Sequence, residues 1–245
     1  MDVFVAEKAI TLWYWMAWWV MGRFIKSEND PTFVEIQLGS VKLEGNLSLP
    51  KNPIGIVLFV HGSGSSRSSP RNRLVARELN QKGIATLLFD LLTRDEEVLD
   101  LQTAHLRFDI SLLSNRLVDA TDWLMKNPEV TNLNFGYFGA STGAAAALVA
   151  ATKRPGIVKA VVSRGGRPDL AGPSLGFVKC PTLLIVGGYD DVVIDLNKEA
   201  MMKIKSEKTL VIIPEATHLF EESGKLEQVA QYACNWFRKY LGESK

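Results

Sequence analysis

Cysteine and surplus charge are both scarce in this chain of 245 residues. Only Cys180 and Cys234 are present, and neither belongs to a C-x-x-C or Cys/His cluster, so the sequence predicts neither a disulfide framework nor a zinc site. The 28 Lys and Arg residues nearly balance 27 Asp and Glu residues, leaving a net charge of +1. That charge is too small for the general attraction to phosphate on which nucleic-acid-binding proteins depend. We therefore expect no nucleic-acid partner, and a reducing compartment such as the cytoplasm.

Long hydrophobic runs are also lacking. The uncharged stretch Ala9–Gly22 would form a helix of about 21 Å, which is short of the roughly 30 Å hydrocarbon core of a bilayer. Arg23 and Lys26 follow it directly. Asp2 and Glu7 precede it and no small-residue cleavage site follows, which argues against a secretory signal. We expect neither a transmembrane span nor export.

This N-terminal stretch is nevertheless unusual, because four of the six tryptophans lie between residues 13 and 19. Three interpretations stay open. The segment is a helix that packs its rings on the domain body or on a second copy of the chain. Alternatively, it is an interfacial helix that contacts a membrane surface, with Arg23 and Lys26 at the headgroups. In the third interpretation it is an upstream extension, with Met21 as the working start.

From Pro31 onward the pattern becomes regular. Alternating apolar and polar residues at 33–38 and 41–49 predict an antiparallel hairpin. Six continuous apolar runs then predict strands that are buried on both faces. These runs are Ile54–Val60, Ile84–Phe89, Leu133–Phe138, Ile157–Val162, Thr182–Val186 and Leu210–Ile213.

Segments with helical spacing lie between these runs, at 72–81, 108–126, 141–153, 195–204 and 226–241. Alternation of strand and helix predicts an α/β fold, in which a mostly parallel twisted sheet carries helices on both faces. The antiparallel hairpin leads into it. We divide the chain into a Trp-rich helical extension, residues 1–30, and a single domain, residues 31–245.

One predicted strand runs directly into Gly139-Ala140-Ser141-Thr142-Gly143, and an alanine-rich helical segment follows. Strand, G-x-S-x-G and helix in that order are typical of a nucleophile elbow. The tight turn leaves no space for side chains at 139 and 143, and it presents Ser141 at the carboxyl edge of the sheet. The following helix directs free N–H groups at an oxyanion that forms there.

A serine hydroxyl needs a base to remove its proton, and the base needs a carboxylate to hold its tautomer. In the chain order Ser, Asp, His, each residue should follow a strand. Asp190 and His218 each follow a predicted strand, so we predict a triad of Ser141, Asp190 and His218. Activity should then fall at acid pH as the base is protonated. Asp191, Asp195 and Glu215 stay open as alternatives for the acid.

The loop 61–70 is rich in small residues and should lie beside the elbow. We predict an oxyanion hole formed by the backbone N–H groups of Thr142 and Ser63, with Gly64 as the alternative to Ser63. His61 is expected to brace this loop, and His105 to be solvated.

The HGSGSS sequence at 61–66, the elbow, Gly187-Gly188-Tyr189-Asp190 and Ala216-Thr217-His218 together resemble the α/β-hydrolase superfamily over nearly all of 31–245. Within it, the chain is similar to the dienelactone-hydrolase-related branch of small hydrolases without a cap domain. The resemblance implies cleavage of a small ester or lactone, with no metal or organic cofactor. Dienelactone hydrolase itself has a cysteine at the elbow, where this chain has Ser141, so the nucleophile should behave as in serine esterases.

Five arginines lie in loops near the predicted active edge, namely Arg67, Arg71, Arg73, Arg164 and Arg167. One or two of them, foremost Arg67 or Arg164, are candidates to bind an anionic group of the substrate. Internal salt bridges that shape the loops are the alternative.

Other functions compete with a hydrolase. A nucleotide-binding protein is disfavoured because Arg67 stands where a G-x-G-x-x-G fingerprint needs its last glycine, and no P-loop motif is present. A non-catalytic binding protein with the same fold stays open. So do a thioesterase, a peptidase and an acyltransferase, since all would use the same triad.

Overall fold

A mixed sheet of eight strands runs through the described part of the chain, which in this computed structural model comprises residues 30–242. The strands are β1 (Thr32–Leu38), β2 (Val41–Ser48), β3 (Ile56–Val60), β4 (Ala85–Phe89), β5 (Phe135–Ala140), β6 (Val158–Arg164), β7 (Thr182–Gly187) and β8 (Lys208–Ile213). Their order in the sheet is β1-β2-β4-β3-β5-β6-β7-β8. The predicted N-terminal helical extension lies outside the described residues.

The strand directions bring one set of strand ends together. β1 pairs with β2 antiparallel, from Thr32↔Leu47 to Leu38↔Val41, and β2 pairs antiparallel with β4. All pairs from β4 to β8 across the sheet are parallel. The carboxyl ends of β3 to β8 therefore share one edge, where ligands bind in open α/β sheets.

Helices cover both faces of this sheet. They are α1 (Pro70–Gln81), α2 (Arg94–Thr103), α3 (Ile110–Leu124), α4 (Thr142–Lys153), α5 (Asp191–Lys203) and α6 (Lys225–Leu241). Apolar residues of α1 and α6 form the core on one face, and those of α3 and α4 form the larger core on the other. The alternation of apolar strands and amphipathic helices thus builds two layers of core around the sheet.

The central strands are buried on both faces, as their continuous apolar composition predicts. Even the polar end of Tyr137 in β5 is satisfied internally, because its hydroxyl lies 2.8 Å from Oγ1 of Thr121 in α3. Burial raises the pKa of the Tyr137 hydroxyl well above its ordinary value. The predicted α/β fold with its leading hairpin is confirmed.

Helix α2 is the element that the sequence analysis missed. A capping box begins it: Thr93 Oγ1 accepts from the Glu96 N–H at 3.2 Å, and Glu96 Oε2 accepts from the Thr93 N–H at 2.8 Å. The T-x-x-E spacing was therefore the available signal. The helix leaves Val98, Leu99 and Leu101 exposed, so its apolar residues show no core-facing period.

Between β6 and β7 the chain contains only a short 3₁₀ segment, Pro168–Phe177, so no cap domain is inserted there. No helix within residues 30–242 combines the length and the apolar character needed to cross a bilayer.

Candidate active site

Ser141 lies at the sharp turn between β5 and α4. Its backbone has φ 50° and ψ −123°, a left-handed conformation that is costly for a residue with a side chain and that clusters at functional sites. The flanking glycines are required sterically. A Cβ on Gly139 would lie 2.5 Å from the Cα of Ala144, and one on Gly143 would lie 2.2 Å from the carbonyl oxygen of Val60. The turn therefore has the geometry of the predicted elbow.

The loop after β3 lies against this turn. A Cβ on Gly62 would be 2.9 Å from the Cβ of Ser141 and 3.0 Å from the carbonyl oxygen of Ala140. This close approach places the backbone of the loop beside the serine. The glycine at this position is thus what lets the predicted oxyanion loop reach the elbow.

His218 and Asp190 are in contact. The Nδ1 atom of His218 lies 2.6 Å from Oδ2 of Asp190, a short hydrogen bond between the imidazole and the carboxylate. Of the alternatives for the acid, Asp191 is exposed at the start of α5, whereas Asp195 and Glu215 pair with lysines on the surface. The structure therefore joins the preferred aspartate, and none of the three alternatives, to the histidine.

Backbone contacts fix the two loops that carry this pair. The Tyr189 N–H donates to the Ala216 carbonyl at 2.9 Å, one residue before Asp190 and two before His218. A Cβ on Gly187 would lie 2.4 Å from that same carbonyl oxygen. The loops after β7 and β8 consequently lie directly on each other, which makes the side-chain contact possible.

Ser141 and His218 both contact the end of β6. The Ser141 N–H donates to the Arg164 carbonyl at 3.2 Å. A Cβ on the next residue, Gly165, would be 3.0 Å from the carbonyl oxygen of His218 and 3.5 Å from Cε1 of its ring. The predicted nucleophile and base thus lie beside two consecutive residues, Arg164 and Gly165, at the carboxyl edge of the sheet.

The two predicted oxyanion-hole residues are also brought together. The Ser63 N–H donates to Oγ1 of Thr142 at 3.0 Å, across 79 positions of sequence. Thr142 is the first residue of α4, so its own N–H has no acceptor within the helix. The Thr142 hydroxyl therefore fixes the orientation of the Ser63 peptide.

His61 holds the same loop through two hydrogen bonds of its ring. Its Nε2 accepts from the Leu91 N–H at 3.2 Å, so its Nδ1 carries the proton and donates to the Gly62 carbonyl at 3.0 Å. Burial lowers the pKa of His61, which favours this neutral form. His61 thus braces its loop as expected, and His105 is exposed.

The loop arginines differ in their partners. Arg67 forms ion pairs with Asp90 and Glu44, and its backbone N–H donates to Asp90 Oδ1 at 2.7 Å. These contacts are the internal salt bridges that the sequence analysis gave as the alternative to substrate binding. Both terminal nitrogens of the guanidinium are already paired with carboxylates. We therefore do not retain Arg67 as a substrate-binding residue.

Of the other arginines expected in loops, Arg167 pairs with Asp169, whereas Arg73 lies in α1 and is exposed. Arg71 also lies in α1 and Arg164 is the last residue of β6, so the predicted loop position was wrong for these three arginines. Arg164 differs from the other four because it is buried. Its Nη2 donates to Oδ1 of Asn72 at 3.2 Å.

A cavity of about 90 Å³, partly open to solvent, adjoins the loop 61–66. Its other walls come from the end of β4, from α2 and from Arg107. Asp100 holds this wall in place, since it accepts from Arg107 Nε at 2.6 Å and from the Leu106 N–H at 2.7 Å. This wall was not predicted from the sequence, because α2 was not predicted.

Within residues 30–242, no three His, Cys, Asp or Glu side chains are grouped so as to hold a metal ion.

Comparisons with known proteins agree with this fold. The sequence model of the Dienelactone hydrolase family matches residues 43–241. A crystal structure of dienelactone hydrolase from Anabaena variabilis is 62% identical, with a TM-score of 0.84, over 86% of this chain and 99% of that one. The esterase domain of a Rhodothermus marinus protein has the same fold at 21% identity, with a TM-score of 0.68, over 86% of this chain and 99% of that one.

The curated relatives carry a different name. Proteins from two strains of Mycobacterium tuberculosis, provisionally named phosphoribosyl transferases, are 57% identical over 208 residues. That match covers 85% of this chain but 46% of each relative, so the chain spans about half the length of the curated relatives it matches. The family match and the structural similarity both support a hydrolase. The chain has the α/β-hydrolase fold and belongs to the dienelactone hydrolase family.

Proposed function

We propose that this chain is a serine hydrolase that cleaves a small ester or lactone through an acyl-enzyme. One observation carries the proposal: an elbow serine in a strained conformation lies at the same sheet edge as a histidine whose Nδ1 is 2.6 Å from an aspartate. A neutral imidazole held in this way has its Nε2 free to accept the serine proton.

In the proposed reaction, Ser141 Oγ attacks the carbonyl carbon of the ester as His218 Nε2 takes the hydroxyl proton. Asp190 holds the Nδ1–H tautomer and stabilises the imidazolium that forms. The tetrahedral intermediate collapses when the C–O bond to the leaving group breaks, and His218 returns the proton to that oxygen. Water then attacks the carbonyl carbon of the acyl-enzyme as His218 takes its proton. The bond to Ser141 Oγ breaks, His218 returns the proton to Ser141, and the carboxylic acid product leaves.

Negative charge on the carbonyl oxygen requires two N–H donors. The Thr142 N–H at the start of α4 and the Ser63 N–H are the donors we propose. The Ser63 N–H donates to the Thr142 hydroxyl, so the substrate oxygen must share or replace that acceptor. The cavity beside this loop would hold part of a small substrate.

A substrate panel tests the reaction. Short acyl esters, lactones and thioesters are assayed with the wild type and with Ser141→Ala, and we expect ester or lactone turnover that the substitution lowers by at least about a thousandfold. A preference for thioesters would assign the chain to thioesterases. Turnover that persists in Ser141→Ala would overturn the role of the serine.

Active-site labelling separates an enzyme from a non-catalytic binding protein with the same fold. A fluorophosphonate probe requires an activated nucleophile, so it should label the wild type but neither Ser141→Ala nor His218→Ala. A binding protein would leave Ser141 unmodified in the wild type as well.

Phosphoribosyl transfer is not the activity we propose for this chain. The dienelactone hydrolase family accounts for residues 43–241, and the named relatives are about twice as long as their match. We assign any such transfer in those relatives to their unmatched half. Release of pyrophosphate from phosphoribosyl pyrophosphate by this 245-residue chain would contradict this assignment.

A further inference from the structure

We propose that Asn197 is a positioning residue for the elbow. Through a hydrogen bond to the loop after β6, its side-chain amide holds Ser141 in the strained backbone conformation that the elbow requires. This inference rests on the proposed hydrolase function and adds to it a residue outside the triad.

The burial and the contacts of Asn197 are the first observation. The residue lies in α5 and its relative exposure is 0%. Its Nδ2 donates to the Gly166 carbonyl at 2.9 Å and to the Val193 carbonyl at 2.8 Å. Both neighbours are acceptors, which identifies the nitrogen of the amide as the atom directed at them. The side chain is therefore fixed by two hydrogen bonds in the interior.

The contact with Gly166 is the one that leaves the helix. Val193 lies four residues before Asn197, so its carbonyl also accepts from the Asn197 backbone N–H in the regular helical pattern. The Gly166 carbonyl belongs to a buried residue, and no backbone N–H of residues 30–242 donates to it. Buried carbonyls are normally paired, so the Asn197 amide satisfies a group that the backbone of the loop leaves open.

The same peptide group also contacts the serine. Gly166 contributes its C=O and Arg167 its N–H, and this N–H donates to the Ser141 carbonyl at 3.0 Å. One peptide plane therefore lies between the Asn197 amide and the backbone of Ser141. A hydrogen bond accepted at the C=O polarises the peptide group, which strengthens its N–H as a donor to the serine.

Strain at Ser141 makes this support necessary. A residue with a side chain keeps a φ of 50° only where the surrounding contacts over-determine it. The Ser141 N–H donates to the Arg164 carbonyl at 3.2 Å, and the Ser141 carbonyl accepts from Arg167. Both backbone groups of the serine are thus held by residues 164–167, the loop that Asn197 fixes.

The place of Asn197 in the chain links this support to the acid. Helix α5 begins at Asp191, directly after Asp190, and the Ile194 N–H donates to the Asp190 carbonyl at 2.9 Å. Asn197 lies further along the same helix. Its amide therefore connects the helix that follows the acid to the loop that holds the nucleophile.

Asn197→Leu removes the amide while keeping a similar side-chain volume. A slightly misplaced serine leaves substrate binding intact but attacks more slowly, so we expect kcat to fall by about tenfold or more and KM to stay within about twofold. The rate at which a fluorophosphonate labels Ser141 should fall in the same proportion. An unchanged kcat, or a loss confined to KM, would overturn the proposal.

Asn80→Leu is the matched control. Asn80 is a buried asparagine of α1, 7% exposed, whose Nδ2 donates to the Ile84 carbonyl at 2.9 Å and to Thr86 Oγ1 at 3.1 Å. Those acceptors lie at the amino end of β4, at the opposite edge of the sheet from the elbow. Both substitutions should lower the Tm, but Asn80→Leu should leave kcat and the labelling rate unchanged. Equal losses of activity in the two variants would overturn a specific role for Asn197.

Hydrogen exchange tests the contact without any reaction, which separates it from the proposed hydrolysis. Relative to the core amide of Tyr137, the Arg167 N–H should exchange about tenfold faster or more in Asn197→Leu, and at the wild-type rate in Asn80→Leu. Faster exchange supports the role of Asn197 even if no ester is turned over, whereas unchanged exchange would overturn it. Asn197→Ser, whose shorter side chain cannot reach Gly166, takes the place of the leucine variant in all three measurements if that variant does not fold.

Discussion

The side chains of Asp190 and His218 meet at 2.6 Å although 28 residues separate them along the chain. Each residue follows a different parallel strand, and the Tyr189–Ala216 backbone hydrogen bond holds the two loops together. The carboxylate is the less exposed partner, with 17% of its side chain accessible against 37% for the imidazole. The pair is therefore preorganised by backbone contacts and does not depend on a long flexible side chain.

Asp190→Asn is expected to lower kcat by about ten-thousandfold without unfolding the protein, because an amide favours the wrong imidazole tautomer. Steady-state kinetics and thermal unfolding would measure the two effects. Asp191→Asn is the matched control, since Asp191 is exposed, and its kcat should stay near that of the wild type. Similar losses in both variants would contradict the assigned pair.

Thr142→Val should lower kcat/KM by roughly tenfold, because it removes the acceptor that orients the Ser63 N–H. Thr142→Ser keeps the hydroxyl and should retain most of the activity. Kinetics on one neutral ester suffice for the comparison. An increase in Thr142→Val would mean that the hydroxyl competes with the oxyanion for the Ser63 donor.

Iodoacetamide should leave the native protein active. Burial raises the pKa of the Cys180 thiol to about 12, and burial followed by the charge of Glu78 raises that of Cys234 to about 11. Both thiols are then protonated and unreactive near pH 8. Mass spectrometry should find neither modified unless the protein is unfolded first. Inactivation coupled to modification of a cysteine would contradict a serine nucleophile.

Acid should destabilise the wall formed by α2. The hydrogen bond from Arg116 lowers the pKa of Glu96, and hydrogen bonds led by that from Arg107 outweigh the effect of burial and lower the pKa of Asp100. A carboxylate whose pKa is lower in the folded state stabilises it above the unfolded-state pKa, and this stabilisation is lost as the pH falls through the folded-state value.

The test is the Tm of the wild type and of Asp100→Asn between about pH 7 and pH 3. The wild-type Tm should fall with acidification, and Asp100→Asn should start lower and fall less. Parallel curves for the two proteins would contradict a contribution from Asp100.

Gly143→Ala should destabilise the protein by more than about 2 kcal/mol or prevent its folding. Its Cβ would lie 2.2 Å from the Val60 carbonyl oxygen and 2.6 Å from that of His61, both of them backbone atoms. Gly156→Ala is the control, because nothing lies within 4 Å of its Cβ. Denaturant unfolding compares the two, and equal stabilities would show that the elbow can relax.

Much of this architecture was readable from local patterns. Continuous apolar runs predicted the strands β3 to β8. The run Leu133–Phe138 proved to be the strand Phe135–Ala140, so Ser141 follows directly after its last residue. The G-x-S-x-G sequence predicted the elbow because its steric requirements lie within a few residues. Helix α2 was not predicted, because its apolar residues face solvent and only its capping box indicated a helix.

The partners of charged side chains could not be predicted from local patterns. Arg67 and Arg164 looked alike in the sequence, as loop arginines near one sheet edge. The structure gives Arg67 two carboxylates and gives Arg164 a buried amide.

The sequence by itself determined the layers, the order of strands and helices along most of the chain and the turn that exposes Ser141, because burial period and backbone sterics are local properties. Only the tertiary structure decided which aspartate meets His218, which amide meets Thr142 and which arginine is left without a carboxylate. These contacts join residues from different strands and loops, so they depend on strand order and register, which no short stretch of sequence encodes.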